Sequence, residues 1–319
     1  MTLARFAAGR VVSGAIFALV VASLTLLLAR IVPGDAAEFG LDATPVEVTA
    51  RRAERGLDQP FVVQYGRWLS GLTRFDLGQS SLFHRPVSDL VGERAANTAF
   101  LAVAALLVAT GIGLPLGRLA GTTSGVAARV VRATSLAVLS VPPLLSALLF
   151  VFLAARTGWM PVGGMTSSGD LSGAAWLADL LRHLPLPTLA LALPLAATLE
   201  RLQARAIADT LRRPFVAASQ ARGLDRHAAL RVHAWPVSLA PVLGSYGVLV
   251  GALFSGSFVV EVVTAWPGLG RLLFDALRSR DVWLVAGCGA AGAASLAVGT
   301  AIADIAHAAI DPRVREARQ

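Results

Sequence analysis

All 28 basic residues of this chain are arginine. A nucleotide-cradling GxxxxGK[ST] loop needs a lysine to reach the phosphates, and Schiff-base chemistry needs a lysine amine, so both are closed to this sequence. Its one cysteine, Cys288, rules out an intrachain disulfide and a cysteine-based zinc site; mid-span, it reads as a small buried apolar residue. The five histidines, His84, His183, His227, His233 and His307, follow no metal-ligand spacing, and no metal site is expected. Asp304 stands close to His307 near the end of an apolar run. Ionisable residues there are functional candidates by default, but snorkelling or contact with cytosolic water is the plainer account near a helix end. Two other segments, Pro214 to Leu224 and Glu261 to Gly270, combine residue types in an order that suits a specific role.

The elements that position them follow from composition. Of 319 residues, 55% are hydrophobic and 15% charged, where a soluble domain carries about 25% charge; the mean hydropathy is +0.65. Spans of about 20 mostly apolar residues are what a bilayer requires. Val11–Ala29, Thr98–Gly117, Ala133–Ala155, Val232–Val260 and Val282–Ala303 are free of charge. Leu184–Leu199 is short and carries Pro185, Pro187 and Pro194, but its helix is expected to continue through Glu200 and Leu202 into the cytosol. The first run is longer than the ~7–15 residues of a signal-peptide core, which favours an uncleaved helix. With the N-terminus inside, the inner segments hold 15 arginines against six acids, and the outer ones 13 against 14. This is the positive-inside pattern, and it places both termini in the cytosol. A nucleic-acid footprint would instead be a basic face on a soluble domain, so no nucleic acid is expected.

Outside the spans, the first outer segment (32–97) has turn signals at Pro33-Gly34-Asp35 and Asp58-Gln59-Pro60. Pro45–Arg55 reads as a polar helix and Phe61–Leu72 as an amphipathic one, with Tyr65 and Trp68 suited to an interface. Gly163–Gly173 is rich in glycine and serine, and Trp176–Leu184 is amphipathic. Pro142-Pro143 is expected to kink the third span.

The inner segment (200–231) is the most informative. Pro214 suits the first turn of a helix, Gly223 the left-handed turn past its end, and Asp225 the N-cap of the next helix. The segment thus predicts a free-standing helix of about two turns over Phe215–Arg222. Its small residues, Ala217, Ala218, Ser219 and Ala221, make a smooth face. On the residues alone, docking into a groove of another protein and simple linkage of two spans stand level.

The string Arg213-Pro214-Phe215-Val216-Ala217-Ala218-Ser219-Gln220-Ala221-Arg222-Gly223-Leu224-Asp225 resembles the cytoplasmic coupling loop of bacterial ABC importer permeases, more narrowly of the dipeptide/oligopeptide/nickel type. The resemblance runs along the chain. It includes Leu28–Asp35, Gly56-Leu57-Asp58-Gln59-Pro60 with Gln64-Tyr65 and Trp68-Leu69, and Asp76–Ser80. It continues through Leu189–Pro194, His233-Ala234, Pro241-Val242-Leu243, Glu261-Val262-Val263, Ala265–Leu272 and Asp311–Arg315. Two departures stand out. The broader family's loop often begins Glu-Ala-Ala six residues before the glycine, where this chain has Ala217, so no salt bridge from that acid is available. Pro236 sits early in span five, where it kinks the helix or ends its first turn.

The resemblance implies an all-α polytopic fold of type I ABC importer permease kind: one permease domain (1–319), six transmembrane helices and a cytoplasmic coupling helix. It implies ATPase coupling through Phe215, Val216, Ala217, Ala218, Ser219, Ala221, Arg222, Gly223 and Leu224. It makes Glu261, Trp266, Pro267, Gly268 and Gly270 an outer gate loop of non-helical backbone, against the alternative of an interfacial turn with an aromatic anchor. Glu261 either lines the pathway or sits in headgroup water. The implied partners are a second homologous permease (a heterodimer), two ABC ATPase subunits that hold ATP and magnesium, an extracytoplasmic solute-binding protein and membrane lipid, in a bacterial inner membrane. The chain itself would bind no cofactor and catalyse nothing. Its solute would be a di- or oligopeptide, with nickel chelates, glutathione or another non-peptide solute as the alternative on the same architecture. A passive channel would conduct without an ATPase, and an intramembrane hydrolase would need paired catalytic groups at mid-membrane depth, which the spans lack.

Overall fold

Hydrocarbon offers the backbone no water, so a spanning segment must close its own hydrogen bonds, as a helix does. The computed structural model describes residues 3–31, 49, 53, 58–167 and 172–310. Among them the elements are helical, and β pairing is confined to an isolated bridge between Gln79 and Pro86. The expected turn at Pro33-Gly34-Asp35 and the terminal Asp311–Arg315 lie outside the described residues, as do all of the expected polar helix Pro45–Arg55 but Thr49 and Ala53 and part of the Gly163–Gly173 stretch. In chain order the helices are α1 (Leu3–Ile31), α2 (Phe61–Leu72), α3 (Val87–Thr122), α4 (Val126–Ser140), α5 (Pro143–Thr157), α6 (Gly173–His183), α7 (Pro185–Leu211), α8 (Pro214–Ala221), α9 (Arg226–Ala229), α10 (Trp235–Leu243), α11 (Tyr246–Val263), α12 (Leu269–Arg278) and α13 (Val282–Ile310). A widened π turn, Leu230–Ala234, joins α9 to α10.

Among the described residues, four helices (α1, α3, α11 and α13) are each long and apolar enough to cross a membrane. The number reaches six if each of two bent pairs, α4 with α5 and α6 with α7, makes one span. The expected kink at Pro142-Pro143 is a 102° bend. Pro143 disfavours helical backbone at the residue before it, so Pro142 is extended (φ −57, ψ 144) and α5 starts afresh with proline in its first turn. Helix α3 begins at Val87, before the charge-free window, and carries Asp89, Glu93 and Arg94 outside it. The fifth span is segmented: the π turn precedes Trp235-Pro236, and α10 ends at Leu243 before α11 begins at Tyr246. Pro236 therefore lies in the first turn of α10, where its missing N–H is tolerated.

The chain divides into two compact units, one of residues 1–11, 100–266 and 298–319, the other of residues 12–99 and 267–297. In the first, α7 is the hub and packs against α4, α5, α10 and α11. Its contact with α3 is made by backbone. Gly113, Gly117 and Gly121 recur every four residues, so they share one face. A Cβ added at Gly113 would lie 2.7 Å from the carbonyl oxygen of Ala196, and one at Gly117 would lie 2.6 Å from that of Glu200; at Gly121 it would meet the carbonyl of Ala204. Small residues at this spacing let two helices approach this closely. Thr110 and Tyr246 add a hydroxyl hydrogen bond of 2.9 Å between α3 and α11. Asp304, expected to snorkel or to meet cytosolic water near its helix end, is ion-paired with Arg10 and keeps part of its side chain exposed.

In the second unit, Val87, Leu90, Leu272, Leu284 and Cys288 form an apolar cluster, and Trp68 packs with Leu26 and Ala286. Buried Asp281 is its polar anchor. One carboxylate oxygen accepts from the Ser80 hydroxyl (2.8 Å) and from the backbone N–H groups of Ser81 (2.6 Å) and Leu82 (3.1 Å). The other accepts from Leu284 N–H (3.2 Å), capping α13.

Two expectations follow. Gly117→Ala forces a methyl group against the Glu200 carbonyl and is expected to destabilise the chain by about 1–3 kcal/mol, the range for overpacking, read as a lower melting temperature in detergent. Asp281→Ala strands several donors, each worth about 1–3 kcal/mol when left buried and unpaired. It should expose the 76–86 segment to limited proteolysis, and Asp281→Asn should do so less.

Candidate functional site

Helix α8 is built by its end residues. Arg213, before Pro214, is extended (φ −75, ψ 143), the conformation that a following proline favours. After Ala221, Gly223 takes φ +98, a left-handed backbone that glycine adopts without strain. Gly223 N–H donates to Gln220 O (2.9 Å) and Leu224 N–H to Ser219 O (3.3 Å), closing the end of α8. Asp225 accepts from Ala228 N–H at 2.6 Å and caps α9. All three signals read from the sequence are in place.

The faces of α8 differ. Val216 is buried in a small apolar cluster with Ala229 and Ala234, flanked by Leu211, Leu224 and Leu230. Ser219 is fully buried, and its hydroxyl donates to Val216 O at 2.7 Å. The helix is thus pinned to its own loop and is not free-standing, and Val216 and Ser219 do not belong to an outward face. Phe215, Ala217, Ala218, Ala221, Arg222 and Gly223 are exposed. The cluster explains how eight residues hold a helix that would be marginal alone. Since α7 runs unbroken to Leu211, the helix begins just past the end of a 27-residue rod.

The 261–270 segment falls into two parts, each within one compact unit. In the first unit, Glu261 and Trp266 are both fully buried. That removes headgroup water as the setting of Glu261 and interfacial anchoring as the role of Trp266. The Trp266 ring stacks on Phe100, with centroids 6.4 Å apart. Thr264 O accepts from Gly164 N–H (2.9 Å), so the Gly163-Gly164 loop is fastened to the end of α11. A Cβ at Gly163 would lie 2.7 Å from that carbonyl. Ala265 adopts φ +52, a strained choice for a residue with a Cβ.

In the second unit, Pro267 O accepts from the Asn97 amide (2.8 Å), and Leu269 N–H donates to the Thr98 hydroxyl (2.8 Å). Gly268 is the extended cap of α12, while Leu269 and Gly270 are already helical. The non-helical backbone expected through Gly270 therefore ends at Gly268. The glycine seam, Asp281 and buried Glu200 are not among the candidate site residues that the sequence suggests. The seam had a local signal, the repeated small-xxx-small spacing. The two acids had none, because their burial depends on helices far away in sequence.

Comparison with known proteins agrees with this architecture. Residues 113–316 match the family model described as binding-protein-dependent transport system inner membrane component, and residues 3–91 match the N-terminal model of such membrane components. A Brucella abortus protein with a provisional peptide-transport permease name is 36% identical over 93% of this chain and 94% of its own length. The oligopeptide transport system permease protein OppB of Mycobacterium bovis is 32% identical over 84% of this chain and 85% of its own. AppB of Bacillus subtilis, also named an oligopeptide transport system permease protein, is 29% identical over 91% and 93%. With a helical fold, several membrane-crossing helices and a match over most of its length, this chain belongs to the binding-protein-dependent transport system inner membrane components, the multi-pass permease subunits of ABC importers.

Proposed function

We propose that this chain translocates di- or oligopeptides by alternating access, driven through α8 by a partner ATPase. The observation that carries the coupling role is the two-sidedness of α8: Val216 and Ser219 fix it to its own loop, while Phe215, Ala217, Ala218, Ala221 and Arg222 stay exposed for another protein. The peptide assignment draws support from relatives named as peptide and oligopeptide permeases. In this proposal a second homologous permease completes a heterodimer, two ATPase subunits hold ATP and magnesium, and a solute-binding protein delivers the peptide from outside. The permease catalyses no reaction. The arginine bias supports cytosolic placement of both termini and of the 200–231 loop, and outer placement of 32–97.

Closure of the ATPase dimer displaces α8, and α7, continuous with the spanning region, carries that displacement inward. A partner can shift such an equilibrium only by binding one state more tightly than the other, so the docking contact sets the coupling. Glu261, Trp266, Pro267, Gly268 and Gly270 belong to the outer gate in this scheme, with the strained Ala265 at the turn.

Ala217 is exposed, so Ala217→Trp leaves the chain's own packing intact and adds bulk only to the docking face. It is expected to insert and melt like the parent, but to lose ATP-driven peptide uptake by roughly tenfold, the effect of losing about 1.4 kcal/mol of docking. Uptake at the parental rate in proteoliposomes would remove α8 from the coupling path.

A further inference from the structure

Glu200 lies in α7 on the face that meets the glycine seam, and it is 1% exposed. Both carboxylate oxygens are buried and accept no hydrogen bond from any described residue. An ionised carboxylate in that position is costly unless a cation meets it. Glu200 also lines a cavity of about 600 Å³ in the first unit, together with Arg132, Arg201, Arg205 and Asp209. That volume falls within the range of small-molecule sites, about 300–1,000 Å³. The lining offers an acid that lacks a donor and, nearby, guanidinium groups with the fork geometry that suits carboxylates.

We propose that this cavity is a solute subsite for a zwitterion: a small peptide whose free amino terminus pairs with Glu200 and whose carboxylate meets the arginines. The inference rests on the peptide assignment above and deepens it, because it makes the charged termini the recognised groups. Gln203, nearly one helical turn on and on the same face, gives its amide to the Ser238 hydroxyl at 2.8 Å. That bond ties the α7 wall beside Glu200 to α10. The arginines alone would suit an anion. The orphaned carboxylate is what calls for an ammonium group as well.

The test uses the permease–ATPase assembly in nanodiscs without its solute-binding protein, with Ala-Ala and N-acetyl-Ala-Ala as probes and thermal melting as the readout. Ala-Ala should raise the melting temperature, and the acetylated analogue, which lacks the ammonium group, should not. Glu200→Gln should weaken the apparent affinity for Ala-Ala tenfold or more, and Glu200→Asp should restore part of it. Without ligand, Glu200→Gln should melt at or above the parent, because it removes a buried carboxyl group that no donor meets; a lost response is then not a folding defect. An Ala-Ala response that survives Glu200→Gln overturns the proposal, as does an equal response to N-acetyl-Ala-Ala or none in the parent. An Ala-Ala response abolished when phosphatidylethanolamine is added to phosphatidylcholine discs assigns the cavity to a lipid headgroup and overturns it too. Uptake of Ala-Ala by the complete importer in ATP-loaded proteoliposomes is read separately. Uptake without Glu200-dependent binding sinks the subsite alone, whereas Glu200-dependent binding without uptake of any peptide sinks the peptide assignment and keeps the subsite.

Discussion

The closeness of α3 to α7 is set by three missing side chains. At Gly113, Gly117 and Gly121 the facing atoms include main-chain carbonyls and the first side-chain carbons beside them. Helices joined by backbone contact have little room to adjust, because no rotamer can yield. The first compact unit is arranged around the helix so fixed: α4, α5, α10 and α11 all pack on α7, and its buried face runs from Leu186 to Thr210. Glu200 and Gln203 lie on that buried face, 1% and 0% exposed.

From this hub the chain passes to α8 with only Arg212 and Arg213 between. A short helix that buries Val216 and Ser219 while baring its other side is anchored and available at once. Arg118, stacked over the Trp235 ring at 5.4 Å, adds a cation–π contact between α3 and the start of α10. Helices α3 and α10 are thus tied to each other in the unit that also holds α8. The end of α11 is just as well fixed: Trp266 is stacked on Phe100, and Thr264 holds the Gly163-Gly164 loop.

Much of this is legible in sequence because its causes are local. Charge-free windows mark the apolar stretches, and Pro214, Gly223 and Asp225 mark the limits of α8 and the start of α9. The amphipathic helices α2 and α6 are legible from their periodicity. What is not legible depends on distant residues. Which side of α8 faces inward is decided by Ala229 and Ala234. The burial of Trp266 is decided by the core around α7. The 102° bend has a visible cause in Pro142-Pro143, but its size depends on how α4 and α5 each pack on α7. Asp304 reads as solvated near a helix end until Arg10, at the other end of the chain, is placed beside it.

The anchor at Asp281 carries a consequence for biogenesis. The Ser80 hydroxyl and its acceptor are separated by 201 positions. At about 5–20 residues per second, translation leaves the turn at Ser80–Leu82 waiting roughly 10–40 s for the carboxylate that will hold it. Through that interval its donors depend on water or on other proteins. The newborn chain therefore secures the Ser80–Leu82 turn only once Asp281, 201 positions after Ser80, has left the ribosome.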